Sequence, residues 1–139
     1  RPDSVERHTL SNILDTGSYT INHLNAAIYK QAHQTSARYP KEVSEFDATG
    51  LSIEYKANCI APFVKESNVQ LELEFKQRID LAINNTIMII GEIKNIYIPE
   101  DCMQEDGFLD IEKAGTITCS GLDSYHLSKS LARLPYAKV

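Results

Sequence analysis

Four residues near the start of the sequence are suited to binding a phosphate. Arg7, His8 and Thr9 are consecutive, and Asn12 follows about one helical turn later. The first turn of a helix has unpaired amides and a partial positive charge, and both favour an anion. An arginine adds a forked charged donor, and a threonine adds a hydroxyl. The cluster therefore predicts a phosphate site, and the alternative is an ordinary helix start that binds no ligand.

A short helix is expected to carry this cluster. Thr9 is a good N-cap residue, because its hydroxyl can accept a hydrogen bond from a first-turn amide. Gly17 ends the helix, since glycine readily adopts the left-handed conformation found at helix ends. An earlier start, capped by Asp3 with Glu6, is also open. The apolar face has the i, i+3, i+4 spacing of a helix and consists of Leu10, Ile13 and Leu14.

Two further polar clusters could do chemistry. His33, Thr35 and Ser36 lie near the end of a second expected helix. Residues 123–126 contain aspartate, serine and histidine, but no nucleophile and base are in register, so a Ser/His/Asp triad is not expected. The histidines and cysteines form no HExxH motif, no zinc spacing and no CxxC pair. We therefore expect neither a catalytic side chain nor a metal site.

Composition excludes other classes of function. The chain of 139 residues is long enough for one domain, which we expect to span residues 1–139. Its net charge of −5 argues against a nucleic-acid backbone as partner. No apolar run approaches the ~20 residues of a membrane-spanning helix. The three widely spaced cysteines are typical of a reducing compartment, so we expect a cytoplasmic protein.

The clearest structural pattern lies between Val69 and Ile83, where apolar side chains occupy the odd positions. A period of two predicts a strand with one buried and one wet face. The alternation breaks at Gln77, which indicates a bulge or a turn. The elements expected ahead of this strand are a strand over 19–23, a helix over 25–37 capped by Asn25 and broken by Pro40, a helical turn over 44–50 capped by Ser44 and ended by Gly50, and a loop over 52–62.

A second long strand is expected over 86–98, after a turn at residues 84–85. Consecutive apolar residues over 88–90 predict that both of its faces are covered. Gly91 indicates a bulge or a close backbone approach. A turn near 109–113, a strand over 116–120 and a helix from Ser128 to Leu134 complete the chain. Long strands with short helices and no alternation of strand and helix favour a mainly β barrel or sandwich.

Seven strings, in order over essentially the whole chain, carry a resemblance. They are Arg7-His8-Thr9 with Asn12-Ile13, Gly17-x-Tyr19-Thr20-Ile21-Asn22-His23, Ala32-His33-x-Thr35-Ser36-Ala37, Glu45-Phe46 with Gly50-Leu51, Ala61-Pro62-x-Val64-Lys65-Glu66-Ser67, Ile90-Gly91-Glu92-Ile93 and Ser120-Gly121-Leu122-Asp123-x-Tyr125-His126. Each string is common, but the ordered set is specific. The chain resembles the flavin reductase-like, FMN-binding split-barrel family, in its small bacterial branch.

This resemblance implies a Greek-key split β-barrel with short peripheral helices. It also implies a homodimer, with one FMN per subunit held near the dimer interface. Family members usually have a segment ahead of the position of Arg1 that contributes barrel strands. The resemblance therefore implies that this chain lacks the N-terminal strands of the barrel.

The resemblance also gives the polar clusters a role. The implied cofactor-binding residues are Arg7, His8, Thr9, Asn12, His33, Thr35 and Ser36. The first three would lie by the FMN phosphate and ribityl chain, with Asn12 supporting that loop, and the last three would approach the flavin. Tyr125 and His126 would border the flavin ring or the partner subunit.

The function implied is that of an NAD(P)H-dependent flavin oxidoreductase, in which a hydride passes from the nicotinamide to FMN. No side chain need act as an acid or base, because the cofactors supply the chemistry. The alternative is a non-catalytic FMN-binding electron carrier that serves a partner protein. A third possibility is a dimeric scaffold that has lost the flavin.

Overall fold

The computed structural model describes residues 8–139, which form short helices and antiparallel β-sheets. The fold is mainly β, as the sequence predicts. The elements are α1 (His8–Thr16), β1 (Ser18–Asn22), α2 (Tyr29–Gln34), α3 (Glu45–Thr49), β2 (Ile53–Glu54), β3 (Phe63–Val64), β4 (Gln70–Leu81), β5 (Thr86–Tyr97), a 3-10 turn (Glu100–Cys102), β6 (Ile117–Ser120) and β7 (Ser124–Leu127).

The largest sheet has the strand order β1-β4-β5. β1 pairs only with the first part of β4, from Asn22 opposite Gln70 to Ser18 opposite Glu74. The rest of β4 therefore continues with β5 as a two-stranded ribbon, which turns at residues 82–85 where Asn85 has a φ of 53°. Both long strands and the asparagine turn are confirmed. The Greek-key order and the additional barrel strands stay predictions.

Two bulges interrupt the pairing of β4 with β5. Lys94 is unpaired between the pairs Glu72–Asn95 and Leu73–Ile93, and Lys76 is unpaired beyond the pair Phe75–Gly91. The break predicted at Gln77 is thus a bulge within one strand. Because a bulge shifts the side-chain alternation by one residue, the odd-numbered apolar residues after Lys76 lie on the opposite face from those before it. The prediction of a single buried face along the whole strand is therefore wrong.

The prediction that both faces of the second strand are covered is also wrong for the described residues. Ile87 is 38% exposed, Met88 43% and Ile90 39%. These side chains lie on the ribbon beyond the end of β1, where the sheet has only two strands. No described element packs over that part of the ribbon closely enough to bury them.

The other parts of the chain pack around the β1 end of this sheet. The β2-β3 hairpin contributes Phe63, which is fully buried. The prediction of a loop throughout residues 52–62 is wrong for Ile53–Glu54, which form β2. A second buried cluster joins Val69 at the start of β4 to Cys102 and Ala114. These contacts fix the strand ends beside which α1, α2 and α3 lie.

The helices begin and end differently from expectation. α1 already includes His8, so Thr9 lies inside the helix and is not its N-cap. Gly17 ends α1 as predicted, with a φ of 69° and its amide donating to the Ile13 carbonyl oxygen at 2.9 Å. The second helix is shorter than expected, because Asn25 Oδ1 accepts from the Ala27 amide and stabilises a turn that precedes α2.

The last segment, residues 128–139, has no helix, so the prediction of one from Ser128 to Leu134 is wrong. The Ser130 amide donates to Glu112 Oε2 at 2.8 Å, outside the segment. The Arg133 guanidinium lies over the Phe108 ring at 4.2 Å and contacts Asp106. A seven-residue helix without a buried face is marginal in water, and these contacts hold a segment without regular secondary structure instead. Among the described helices, none is long and apolar enough to cross a lipid bilayer.

Candidate functional site

Two adjoining cavities lie between α1, α2, α3 and β3. The outer one, of about 260 Å³, is lined by Thr9, Thr35, Glu45, Phe46, Leu51 and Val64. The inner one, of about 230 Å³, is lined by Asn22, His23, Leu24, Ile28, Ala32, Thr35, Leu51 and Val64. Because they share Thr35, Leu51 and Val64, we treat them as one groove and call it the Thr9–Thr35 groove.

Helix spacing explains how Thr35 reaches this groove. Ile28, Ala32 and Thr35 follow at i, i+4 and i+7, which places them on one face of α2 and the adjoining turn. Ile28 is buried, so this face is anchored against the body of the protein. Thr9 comes to the other side of the groove from α1, which the buried Ile13 anchors.

The hydroxyl groups at the end of α2 already have partners. Thr35 Oγ1 donates to the Ala32 carbonyl oxygen and Ser36 Oγ donates to the His33 carbonyl oxygen, each at 2.7 Å. In this arrangement the hydroxyl oxygens are free to accept a hydrogen bond. They would need a side-chain rotation in order to donate one to an anion.

The polar groups of the groove differ at its two ends. Glu45, the first residue of α3, lines the same outer cavity as Thr9, and its carboxylate disfavours an anion close to it. His23 lies on the inner cavity, and its Nδ1 is 3.1 Å from Thr116 Oγ1. Burial lowers the pKa of His23, which favours the neutral imidazole. Thr9, on the described part of α1, supplies the outer cavity with a hydroxyl that can donate to an anion.

The structure brings some of the sequence-predicted site residues together and separates others. Thr9 and Thr35 line the same cavity. His33 lies elsewhere, with its Nδ1 3.0 Å from the Tyr125 hydroxyl. His8 and Asn12 lie on α1. The Asn12 side chain is exposed, and the Asn12 backbone carbonyl oxygen accepts a hydrogen bond from Thr16 Oγ1. Arg7 lies outside the described residues.

Sequence reasoning did not assign several groove residues. Phe46, Leu51 and Val64 form an apolar wall of the outer cavity. Each belongs to a string that carries the family resemblance, so the strings themselves were the signal. His23 also lies in such a string, but nothing in its local sequence indicates a cavity.

A second cluster lies on the other side of α2. The Tyr29 and Tyr125 ring centroids are 5.6 Å apart, and His33 meets the Tyr125 ring edge-on at 5.8 Å. Tyr29 and His33 are four residues apart on α2, so they share a face that differs from the face of Ile28 and Ala32. α2 therefore separates this aromatic cluster from the Thr9–Thr35 groove.

The family follows from comparison with known proteins. The model of the flavin reductase like domain matches residues 4–114, so the chain belongs to this family. Over 94% of its length it is 53% identical to a split-barrel protein from Shewanella frigidimarina NCIMB 400 to which a flavin reductase activity has been provisionally assigned, with a TM-score of 0.92. The resemblance stated from the sequence is confirmed.

Two other relatives are more distant. The flavoredoxin of Desulfovibrio vulgaris (Miyazaki F) has the same fold, with a TM-score of 0.78 and 23% identity over 96% of this chain and 72% of its own. A protein of uncharacterised function from Aquifex aeolicus (strain VF5) is 26% identical over 113 residues, or 81% of this chain. The chain spans 66% of the Shewanella frigidimarina chain and 57% of the Aquifex aeolicus protein.

Proposed function

We propose that the protein is a flavoprotein that binds FMN in the Thr9–Thr35 groove and acts as an NAD(P)H-dependent flavin oxidoreductase. The observation that carries the proposal is that Thr9 and Thr35, far apart in the sequence, line one cavity of about 260 Å³. Thr9 belongs to the cluster that predicts a phosphate site, and the family resemblance assigns both threonines to the cofactor.

The groove suits a ligand that combines an anionic group with a flat apolar body. The Thr9 hydroxyl favours the anionic end, because it can donate a hydrogen bond to a phosphate. Phe46, Leu51 and Val64 give an apolar wall for the other end. Glu45 lines the same outer cavity as Thr9, so its carboxylate would oppose a phosphate placed beside it.

The protein would bind and orient the cofactor, and FMN would supply the hydride acceptor. Thr9 would donate to the phosphate. Thr35 would donate after rotation away from the Ala32 carbonyl oxygen. The family resemblance implies Ser36 beside Thr35 at the flavin and His8 beside Thr9 at the phosphate. His23, with its lowered pKa, would present a neutral imidazole to the inner cavity and add no charge there.

FMN titration of purified protein tests this proposal. We expect a saturable shift of the visible flavin spectrum at micromolar FMN. We also expect the affinity to fall about tenfold in Thr9→Val, since one hydrogen bond to a charged group contributes about 1.5 kcal/mol. Thr118→Val, on the exposed face of β6, is the matched control and leaves the affinity unchanged. Equal affinity of Thr9→Val and the control would contradict the phosphate assignment.

An electron carrier is the second candidate, and the shared fold with a flavoredoxin favours it. A carrier would bind FMN but would not oxidise NAD(P)H. Anaerobic mixing of the FMN-loaded protein with NADH or NADPH separates the two functions. Flavin bleaching supports the oxidoreductase, and an unchanged flavin spectrum supports the carrier.

The homodimer, the cytoplasmic location and the bacterial origin belong to the same proposal. The exposed aliphatic side chains of the β4-β5 ribbon favour an interface between subunits, because such residues are usually buried in the assembled protein. Sedimentation of the FMN-loaded protein as a dimer supports this assignment, and a monomer under all conditions contradicts it.

A further inference from the structure

A cavity of about 220 Å³ lies between the start of α2 and the β6-β7 hairpin. It is lined by Ala26, Tyr29, Ile117, Tyr125, His126 and Leu127. We call it the Tyr29–Tyr125 cavity. It shares none of its lining residues with the Thr9–Thr35 groove, and α2 separates the two.

The walls of this cavity suit a flat aromatic ring. Tyr29 and Tyr125 are half-buried and their planes are inclined by 56°, so each presents part of a ring face. Tyr125 is fixed in place, because its hydroxyl is bound to His33 Nδ1 at 3.0 Å. The volume is below the 300–1,000 Å³ range of complete small-molecule sites, which fits one ring system and not a whole dinucleotide.

A positive charge lies next to Tyr29, one wall of the cavity. Lys30 Nζ is 5.8 Å from the centroid of the Tyr29 ring, and the Lys30 side chain is exposed. A ring held against Tyr29 could therefore extend a phosphate toward Lys30. A ring with an adjacent phosphate is the chemistry of a nucleotide.

We propose that the Tyr29–Tyr125 cavity binds the adenine ring of a pyridine nucleotide, with the adjoining phosphate at Lys30. This inference rests on the proposed oxidoreductase function. The nicotinamide must reach the flavin to transfer a hydride, whereas the adenine takes no part in the reaction. A cavity separated by α2 from the flavin groove suits the ring that does not react.

The test is a titration with 5′-AMP, which carries the adenine and one phosphate and lacks the nicotinamide. Tyrosine-ring NMR signals report binding in both the FMN-loaded and the FMN-free protein. We expect saturable shifts at Tyr29 and Tyr125, and roughly tenfold weaker binding in Tyr29→Ala, as for loss of one stacking contact. Lys30→Ala should weaken binding of AMP and leave binding of adenosine nearly unchanged.

Tyr136→Ala is the matched control, since Tyr136 is 90% exposed and remote in sequence from both walls. Circular dichroism verifies that each variant is folded, and Tyr29→Leu replaces Tyr29→Ala if the alanine variant is not. Absence of AMP binding overturns the inference, as does equal AMP affinity in the Tyr29 and Tyr136 variants. Equal affinity for nicotinamide mononucleotide overturns the assignment to adenine.

The design separates this inference from the proposed function. Failure of FMN to bind contradicts the flavoprotein proposal, whereas the AMP titration of the FMN-free protein still decides whether the cavity takes adenine. The converse outcome is that FMN is bound and reduced while Tyr29→Ala leaves the KM for NAD(P)H unchanged. That result would contradict the assignment of the adenine site and would support the proposed oxidoreductase function.

Discussion

The Tyr19 side chain lies directly over Gly91: a Cβ added at Gly91 would be 2.2 Å from the Tyr19 hydroxyl oxygen. Tyr19 is on β1 and Gly91 is on β5, on either side of β4. The glycine inside the isoleucine-rich strand is thus explained by a close approach, one of the two readings that the sequence allowed. The absence of a side chain at Gly91 lets the tyrosine cross the central strand.

Gly91→Ala should therefore destabilise the protein by about 1–3 kcal/mol, the usual cost of overpacking, because the tyrosine ring must move. Urea unfolding measures the change. In a Tyr19→Ala background the same substitution should cost much less, since the obstructing ring is gone. An equal loss of unfolding free energy in the two backgrounds would contradict the contact with Tyr19 as the cause.

Lys76 and Lys94, the two bulge residues, lie on either side of a pair of like charges. Glu74 is directly opposite Glu92 in the register. Lys76 Nζ is 2.8 Å from a carboxylate oxygen of each, and Lys94 Nζ is 3.3 Å and 3.4 Å from them. Hydrogen bonds from the two lysines lower the pKa of both glutamates.

Lys76→Met should raise the pKa of Glu74 and of Glu92 toward the ordinary value, and each carboxyl can be followed by NMR titration. Because both pKa values are lowered in the folded state, this stabilisation is present above the unfolded value near 4.5 and is lost as the pH falls below it. The variant should weaken that pH dependence. Lys138→Met, in the exposed C-terminal segment, is the control and should change neither pKa.

Glu72 is a buried carboxylate that binds two side chains of β5. Its Oε2 accepts from Asn95 Nδ2 at 2.9 Å and from the Tyr97 hydroxyl at 3.1 Å. Glu72→Ala would leave both donors without this acceptor, so we expect a loss of about 1–3 kcal/mol in urea unfolding. Glu105→Ala, at an exposed position, should have almost no effect.

The same carboxylate affects the ionisation of Tyr97. Burial raises the pKa of Tyr97, and the hydrogen bond to Glu72 raises it further. Glu72→Gln keeps an acceptor but removes the charge, so the pKa of Tyr97 should fall while remaining above its ordinary value. A tyrosine-ring NMR titration measures it, and an unchanged value would contradict a direct effect of the carboxylate.

His23 should make stability depend on pH in a second range. Burial lowers its pKa below 6.5, so the folded protein binds the proton less readily than the unfolded chain does. The free energy of unfolding is therefore highest above the pKa of this histidine in the unfolded chain, and it decreases as the pH falls below that pKa. His23→Gln should reduce the change in urea midpoint between about pH 5 and pH 8. His126→Gln, at an exposed position, should not reduce it.

Local patterns predicted the elements whose signals lie within a few residues. The odd-even alternation of β4, the asparagine turn and the glycine ends of α1 and α3 are all confirmed. The bulge at Lys76 explains why the predicted single buried face of β4 is wrong. Apolar residues stay at odd positions after the bulge, but their side chains lie on the other face of the sheet. The helix expected from Ser128 failed for a different reason, since contacts of Arg133 with distant residues decide that segment.

The candidate site was predictable only in part, because long-range packing decides which residues line the same cavity. Thr9 was chosen from its polar cluster and both threonines from family strings, and α1, α2 and the start of α3 each contribute to the lining of one cavity. No local pattern shows that Leu51 and Val64 would complete its wall, because their positions depend on long-range packing. The separation of His33 from this groove follows from the helical phase of α2, because residues two apart on a helix do not face the same side.

The two bulges have opposite effects on register and cancel. Leu81 pairs with Thr86 at the turn and Gln70 pairs with Tyr97 at the far end, in the same register, and only the pairs between the two lysines are displaced by one. Because neither lysine belongs to a pair, a chain without Lys76 would keep every other pair of the ribbon, whereas deletion of a paired residue would shift the register on one side of it by one residue. Over evolutionary time, length changes in these two strands are therefore expected at the two bulge positions more readily than at paired positions.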